Sequence, residues 1–132
     1  MSGIYDNARL KFATAALDWR SANYLLTAWK GTKDFVPADA NISMITARGQ
    51  AQQVGTSMPI VGKAVDTKGV MKTNAVVIQG IPAGNTVTFF VMALGTEPML
   101  FVDDVLGLPY LSNGLDIVVQ PDWALAQGWC RV

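Results

Sequence analysis

The chain has 132 residues, enough for one domain and too few for a second independent core. Ten basic residues balance ten acidic ones, so there is no cationic excess of the kind that drives general nucleic-acid binding. Histidine is absent and Cys130 is the one cysteine, which excludes Ser-His-Asp, Cys-His and His-metal chemistry.

The opening residues, Met1 to Asn7, show no basic segment leading into an apolar one, so no export signal is expected. Residues 7–19 carry apolar side chains at Ala8, Phe12, Ala15, Ala16 and Trp19. That spacing predicts a helix, capped by Asp6 or Asn7 and ending near Leu17 or Asp18. Residues 24–29 form a short aromatic and apolar run that predicts a buried strand, and residues 30–34 a loop. Beyond Pro37, residues 38–45 are expected to form a short helix with Ile42 and Ile45 on one side.

Residues 47–63 contain Gly49, Gly55, Gly62, Pro59 and the neighbours Gln52 and Gln53, which favours edge segments and loops over core. The remainder is rich in Val, Ile, Phe and Thr, predicting strands over 75–78, 86–94, 99–102 and 116–120. Gly and Pro residues in 80–85, 95–98 and 107–109 supply the turns between them. Such close spacing favours antiparallel pairing, because parallel strands need a long crossover. The expected fold is mainly β, an antiparallel β-sandwich or barrel-like domain over residues 1–132 with an N-terminal α-helix.

Apolar residues make up 51% of the chain and charged residues only 15%. The longest unbroken apolar run, Phe89 to Leu94, is far too short to cross a bilayer as a helix, so no membrane partner is expected. The apolar surplus points instead to a subunit interface. Charge is unevenly distributed: residues 1–72 hold nine basic and five acidic side chains, whereas residues 73–132 hold one basic and five acidic. The two halves are expected to interleave within the domain rather than form opposed faces.

A search for chemistry ends quickly. Asp103, Asp104, Asp116 and Asp122 lack the spacing of a calcium loop, and adjacent aspartates on a strand end point to opposite faces. No spacing establishes a pair of carboxyl groups across a cleft, although a small hydrolase using Asp103, Asp104 or Asp116 is the enzymatic alternative. The 80–84 turn lacks the Gly-Lys-Ser/Thr of a phosphate loop. Cys130 has no base to activate it. No catalytic residue, metal or cofactor is therefore assigned. Trp19, Trp29, Trp123 and Trp129 are read as core or interface anchors.

The order of segments resembles a family of small tailed-bacteriophage virion proteins. The similarity begins with Ala8 to Trp19 followed by Ala22 to Trp29, a helix ending in Trp and then an apolar strand. It continues through Gly62-Lys63-Ala64-Val65, Gly84-Asn85-Thr86-Val87, Leu106-Gly107-Leu108-Pro109, the stretch Ser112 to Val119, and Asp122-Trp123. The chain departs from the family ahead of Met99, where a longer Asp- and Gly-rich link is reduced to Gly95-Thr96-Glu97-Pro98. The resemblance implies a non-enzymatic capsid decoration or cement protein. It would bind the major capsid protein on the outside of the head and stabilise it. It further implies self-association, with a trimer favoured, and location on the virion surface after assembly in the host cytoplasm, with no nucleic-acid partner. Ile4, Tyr5, Phe12, Trp19 and Trp29 are the expected interface residues. A tail fibre, spike or baseplate-associated module that attaches to the host is the alternative within the same particle.

Overall fold

A computed structural model describes residues 2–16, 18–20, 22–65, 70–73, 75–103, 108–119 and 128–131. Its elements run β1 (Ser2–Ile4), α1 (Asp6–Ala13), β2 (Leu25–Gly31), α2 (Ile42–Ala47), β3 (Ala51–Pro59), β4 (Ala64–Val65) and β5 (Val70–Lys72). They continue with β6 (Val76–Ile78), β7 (Thr86–Leu94), β8 (Glu97–Val102), β9 (Tyr110–Leu111), β10 (Ile117–Val119) and β11 (Gly128–Arg131). Among the described residues strands far outweigh the two short helices, so the fold is mainly β and antiparallel, with an N-terminal helix.

The principal sheet has the order β1-β8-β7-β2-β3, with β9 added beside the start of β7. Two smaller sheets, β10-β6 and β11-β5-β4, complete the strands. Both halves of the sequence meet in the principal sheet: β2 lies between β3 and β7, and β1 pairs with β8. The charge asymmetry along the chain is thus interleaved in space.

Side chains alternate across a strand, and here both sides are buried. Leu26 and Ala28 of β2, Phe90 and Met92 of β7, and Leu100 and Val102 of β8 pack on one face. Met71, Val76, Ile78 and Val119 from the smaller sheets, with Ala8 and Phe12 of α1, cover that face. Trp29, Phe89, Val91 and Phe101 occupy the other, beneath residues 32–50, which cross the sheet between β2 and β3. Burial on both faces explains why Phe89 to Leu94 reads as continuous apolar sequence rather than as an alternating pattern.

The strand expected over 86–94 and the buried strand near 24–29 are present as β7 and β2, the latter extending to Gly31 into the expected loop. The helix expected to continue to Leu17 or Asp18 instead ends at Ala13. Its end is a Schellman turn: the Ala16 N–H donates to the Lys11 carbonyl at 2.9 Å and the Ala15 N–H to Phe12 at 3.2 Å. Ala15 takes the left-handed conformation at φ 57°, a position that glycine usually fills, so nothing in the composition marks the stop.

The start differs as well. The helix follows β1 so closely that Tyr5 occupies the cap position, with no side-chain cap from Asp6 or Asn7. The Pro37 carbonyl takes the place of a cap by accepting the Asp6 N–H at 2.8 Å. The second helix lies over 42–47 rather than 38–45, because the Asn41 side chain caps it by accepting from the Ser43 N–H at 2.9 Å. The turn expected over 95–98 narrows to Gly95-Thr96, since Glu97 and Pro98 already pair with Leu94 and Ala93.

Candidate interaction surface

The five expected interface residues separate into two groups. Tyr5, Trp19 and Trp29 are buried in the core, whereas Ile4 and Phe12 are partly buried and pack against it. Trp29 stacks on Phe89 with centroids 5.9 Å apart, and Phe89, Phe101, Phe35 and Tyr5 continue the row at 5.0–5.1 Å. The Trp29 indole N–H donates to the Thr27 hydroxyl at 2.8 Å, which donates in turn to the Val91 carbonyl at 2.7 Å. That chain satisfies buried polar groups, as an interior requires. Trp19 donates to the Ala64 carbonyl at 3.0 Å and packs against Tyr24. Tyr5, Trp19 and Trp29 are thus committed to the core of this domain. Trp123 lies outside the described residues, and so do Asp104, Asp122 and the side chains of Trp129 and Cys130.

The crossing segment over 32–50 is fastened by charge. Arg48 donates from Nε to Asp34 at 2.8 Å and, through its two terminal nitrogens, to both oxygens of Asp39 at 2.7 and 2.6 Å. Both carboxylates are buried. Hydrogen bonds to Asp39, and then to Asp34, hold the guanidinium still more firmly in its charged form. The buried Tyr5 hydroxyl has no hydrogen-bond partner among the described residues. Burial, reinforced by Asp39 and Asp34 and opposed by Arg48, pushes its ionisation above the ordinary tyrosine value. No sequence pattern announces this clamp, because its members are nine and fourteen positions apart.

Among the described residues, no three of Cys, Asp and Glu converge to hold a metal. Asp103 forms an ion pair with Lys33 at 3.3 Å, and Asp116 is exposed. A shallow cleft of about 570 Å³ lies between the end of α1 and the smaller sheets, lined by Phe12, Ala15, Trp19, Val65 and Met71, with Asp18 and Arg20 as its charged members. No helix among the described residues is long and apolar enough to cross a membrane.

An outward apolar surface lies on the β6–β10 ribbon. Val76, Ile78 and Val119 point into the core, so the alternate positions Val77 and Val118 must point out. They face one another directly across the two strands and are 38% and 58% exposed. On the chain leading into β10, Leu111 and Leu115 are 64% and 68% exposed. This stretch is held in place by Ser112, whose N–H donates to the Asn85 carbonyl at 2.9 Å and whose hydroxyl donates to the Ile81 carbonyl at 3.1 Å. Sequence reasoning placed a strand here but did not single out its outward valines, since strand pattern alone does not say which face is covered.

Comparison with protein-family profiles, with curated proteins and with solved structures yields no match.

Proposed function

We propose that this chain is a structural protein of a tailed-bacteriophage particle, a capsid decoration or cement subunit that seats on the major capsid lattice and stabilises the head. Its work is adhesion, and no reaction is assigned to it. The observation that carries the reading is the outward pair Val77 and Val118, with Leu111 and Leu115 nearby in sequence, on a domain whose own core is filled without them. Exposed apolar surface held on a paired ribbon is what a docking subunit presents to a partner. The segment order described above supplies the virion context, and the absence of histidine supports a role without acid–base catalysis near neutral pH.

Cryo-electron microscopy of purified particles tests the reading. Hundreds of copies on the outer head lattice are expected, with the β6–β10 ribbon against the capsid. A handful of copies at the tail would replace this reading with the host-attachment module, and absence from the particle would overturn both. Val118→Asp is expected to lower head occupancy at least tenfold while leaving the isolated domain folded, because the site faces solvent in the free chain.

A further inference from the structure

We infer that Asn113 is a self-modifying site: attack by the Gly114 main-chain nitrogen converts it to aspartate and isoaspartate, placing a negative charge between the exposed Leu111 and Leu115. The asparagines of the chain are Asn7, Asn23, Asn41, Asn74, Asn85 and Asn113, and Asn113 alone precedes a glycine. A side chain hinders approach to its own main-chain nitrogen, and glycine has none. The Asn113-Gly114 pair is exposed, and it lies between β9 and β10, outside any strand or helix.

The local geometry brings the reacting groups together. The Leu115 N–H donates to Asn113 Oδ1 at 3.0 Å, an Asx turn that folds the carboxamide back over the Gly114 peptide. The same hydrogen bond draws electron density from Cγ, the carbon to be attacked. The Gly114 N–H donates to the Ser112 hydroxyl at 3.3 Å, beyond the usual range of about 2.7–3.2 Å, so its proton is loosely held. Asn41 supplies the contrast, since its Oδ1 accepts from the Ser43 N–H at 2.9 Å in the same kind of turn. The residue after it is the β-branched Ile42, whose N–H donates to the Thr96 carbonyl at 2.8 Å. Both asparagines share the turn, and the unhindered, loosely held nitrogen distinguishes Asn113.

Solvent hydroxide takes the Gly114 amide proton, and the nitrogen bonds to Asn113 Cγ. The carboxamide C–N bond then breaks, and its nitrogen leaves as ammonia after taking a proton from water. The product is a cyclic succinimide, which water opens at either carbonyl. Addition at Cγ breaks the new bond and leaves aspartate. Addition at the main-chain carbonyl leaves the chain joined through Cγ, the isoaspartyl form. One water is consumed and one ammonia released, with nothing oxidised or reduced. A neutral carboxamide has become a carboxylate, so the formal net charge, zero in the unmodified chain, turns negative. The inference stands apart from the virion reading.

Two measurements test it on the full chain. Held folded in mildly alkaline buffer, the protein is expected to build an acidic satellite band on isoelectric focusing. Fragmentation mass spectrometry is expected to place the carboxamide-to-carboxyl mass change at Asn113, at a rate at least about tenfold that at Asn41. Asn113→Gln sets the carboxamide one methylene further from the Gly114 nitrogen and is expected to lack the band. Circular dichroism checks that this exposed replacement leaves the fold intact. Equal rates at Asn113 and Asn41, modification of Asn113 in the denatured chain alone, or a band of unchanged strength in Asn113→Gln overturns the proposal.

Discussion

The two faces of the principal sheet are closed in opposite ways. One is covered by a single run of chain, residues 32–50, which leaves β2 and returns as β3, bringing Phe35, Ile42 and Ile45 over an aromatic row. Arg48 ties it down through two buried carboxylates. The other is covered by α1 and short strands drawn from both halves of the sequence, packed through Met, Val and Ile side chains without a buried ion pair among the described residues. A local cover needs a fastening, because few residues contribute to it. The assembled cover holds by burial together with partly exposed polar ties, Lys11 of α1 to Glu97 of β8 at 2.6 Å and Trp19 to the Ala64 carbonyl, and its outer side remains available for Val77 and Val118 to face a partner.

The comparison breaks most severely with Phe101→Ala, which removes the ring joining Phe89 to Phe35. Chemical denaturation is expected to show a loss of about 4 kcal/mol. Arg48→Met tests the fastening itself: two buried carboxylates lose their partner, and stability is expected to fall by about 3 kcal/mol. Adding Asp34→Asn and Asp39→Asn to that variant should restore part of the loss, since the uncompensated charges disappear. A triple variant no more stable than Arg48→Met would show that the charges are not what the guanidinium compensates.

Alkaline unfolding examines a tyrosine on each side. Burial, with a smaller push from Asp18, raises the Tyr24 hydroxyl from 10.0 to about 12, and Tyr5 on the fastened face is also raised. Both favour the neutral form in the folded state. Their contribution is complete below pH 10, the unfolded value, and for Tyr24 it is lost as pH rises from 10 through about 12. Denaturant midpoints measured across that window should fall, and Tyr24→Phe should flatten the decline. The smallest expected change is at the end of α1, on the assembled side. Ala15→Gly relieves a left-handed alanine and should stabilise the protein by about 0.5–1 kcal/mol, read as a rise in thermal midpoint.

The parts of this fold that were legible in the sequence are those with strong local signals. The run Phe89 to Leu94 identified β7, and the glycine and glutamine content of 47–63 marked the region that became the edge strand β3. The short strands β1, β4, β9 and β11 span two to four residues, too few to show a period. They are strands because a neighbour distant in sequence offers hydrogen bonds, as β8 does for β1. The surfaces were harder still. Tyr5, Trp19 and Trp29 have the composition of interface anchors, yet the fold places them inside, while less conspicuous valines face outward. Aromatic content announces burial without saying whether a core or a partner supplies it.

The pairing order of the principal sheet also sets a timetable for synthesis. The partner β3 follows β2 closely, but β7, which covers the opposite edge of β2, begins at Thr86, and the partner of β1 ends at Val102. At translation rates of about 5–20 residues per second, the β2–β3 pair waits some seconds for its second neighbour. During that interval the segment over 32–50 is already present to shelter Trp29, whereas the opposite side of β2 has only α1 of its eventual cover. The Asp34–Arg48–Asp39 fastening is thus complete early on the nascent chain, whereas the aromatic row beneath it waits for Phe89 and Phe101, and the principal sheet gains its last strand only once Leu111 has emerged.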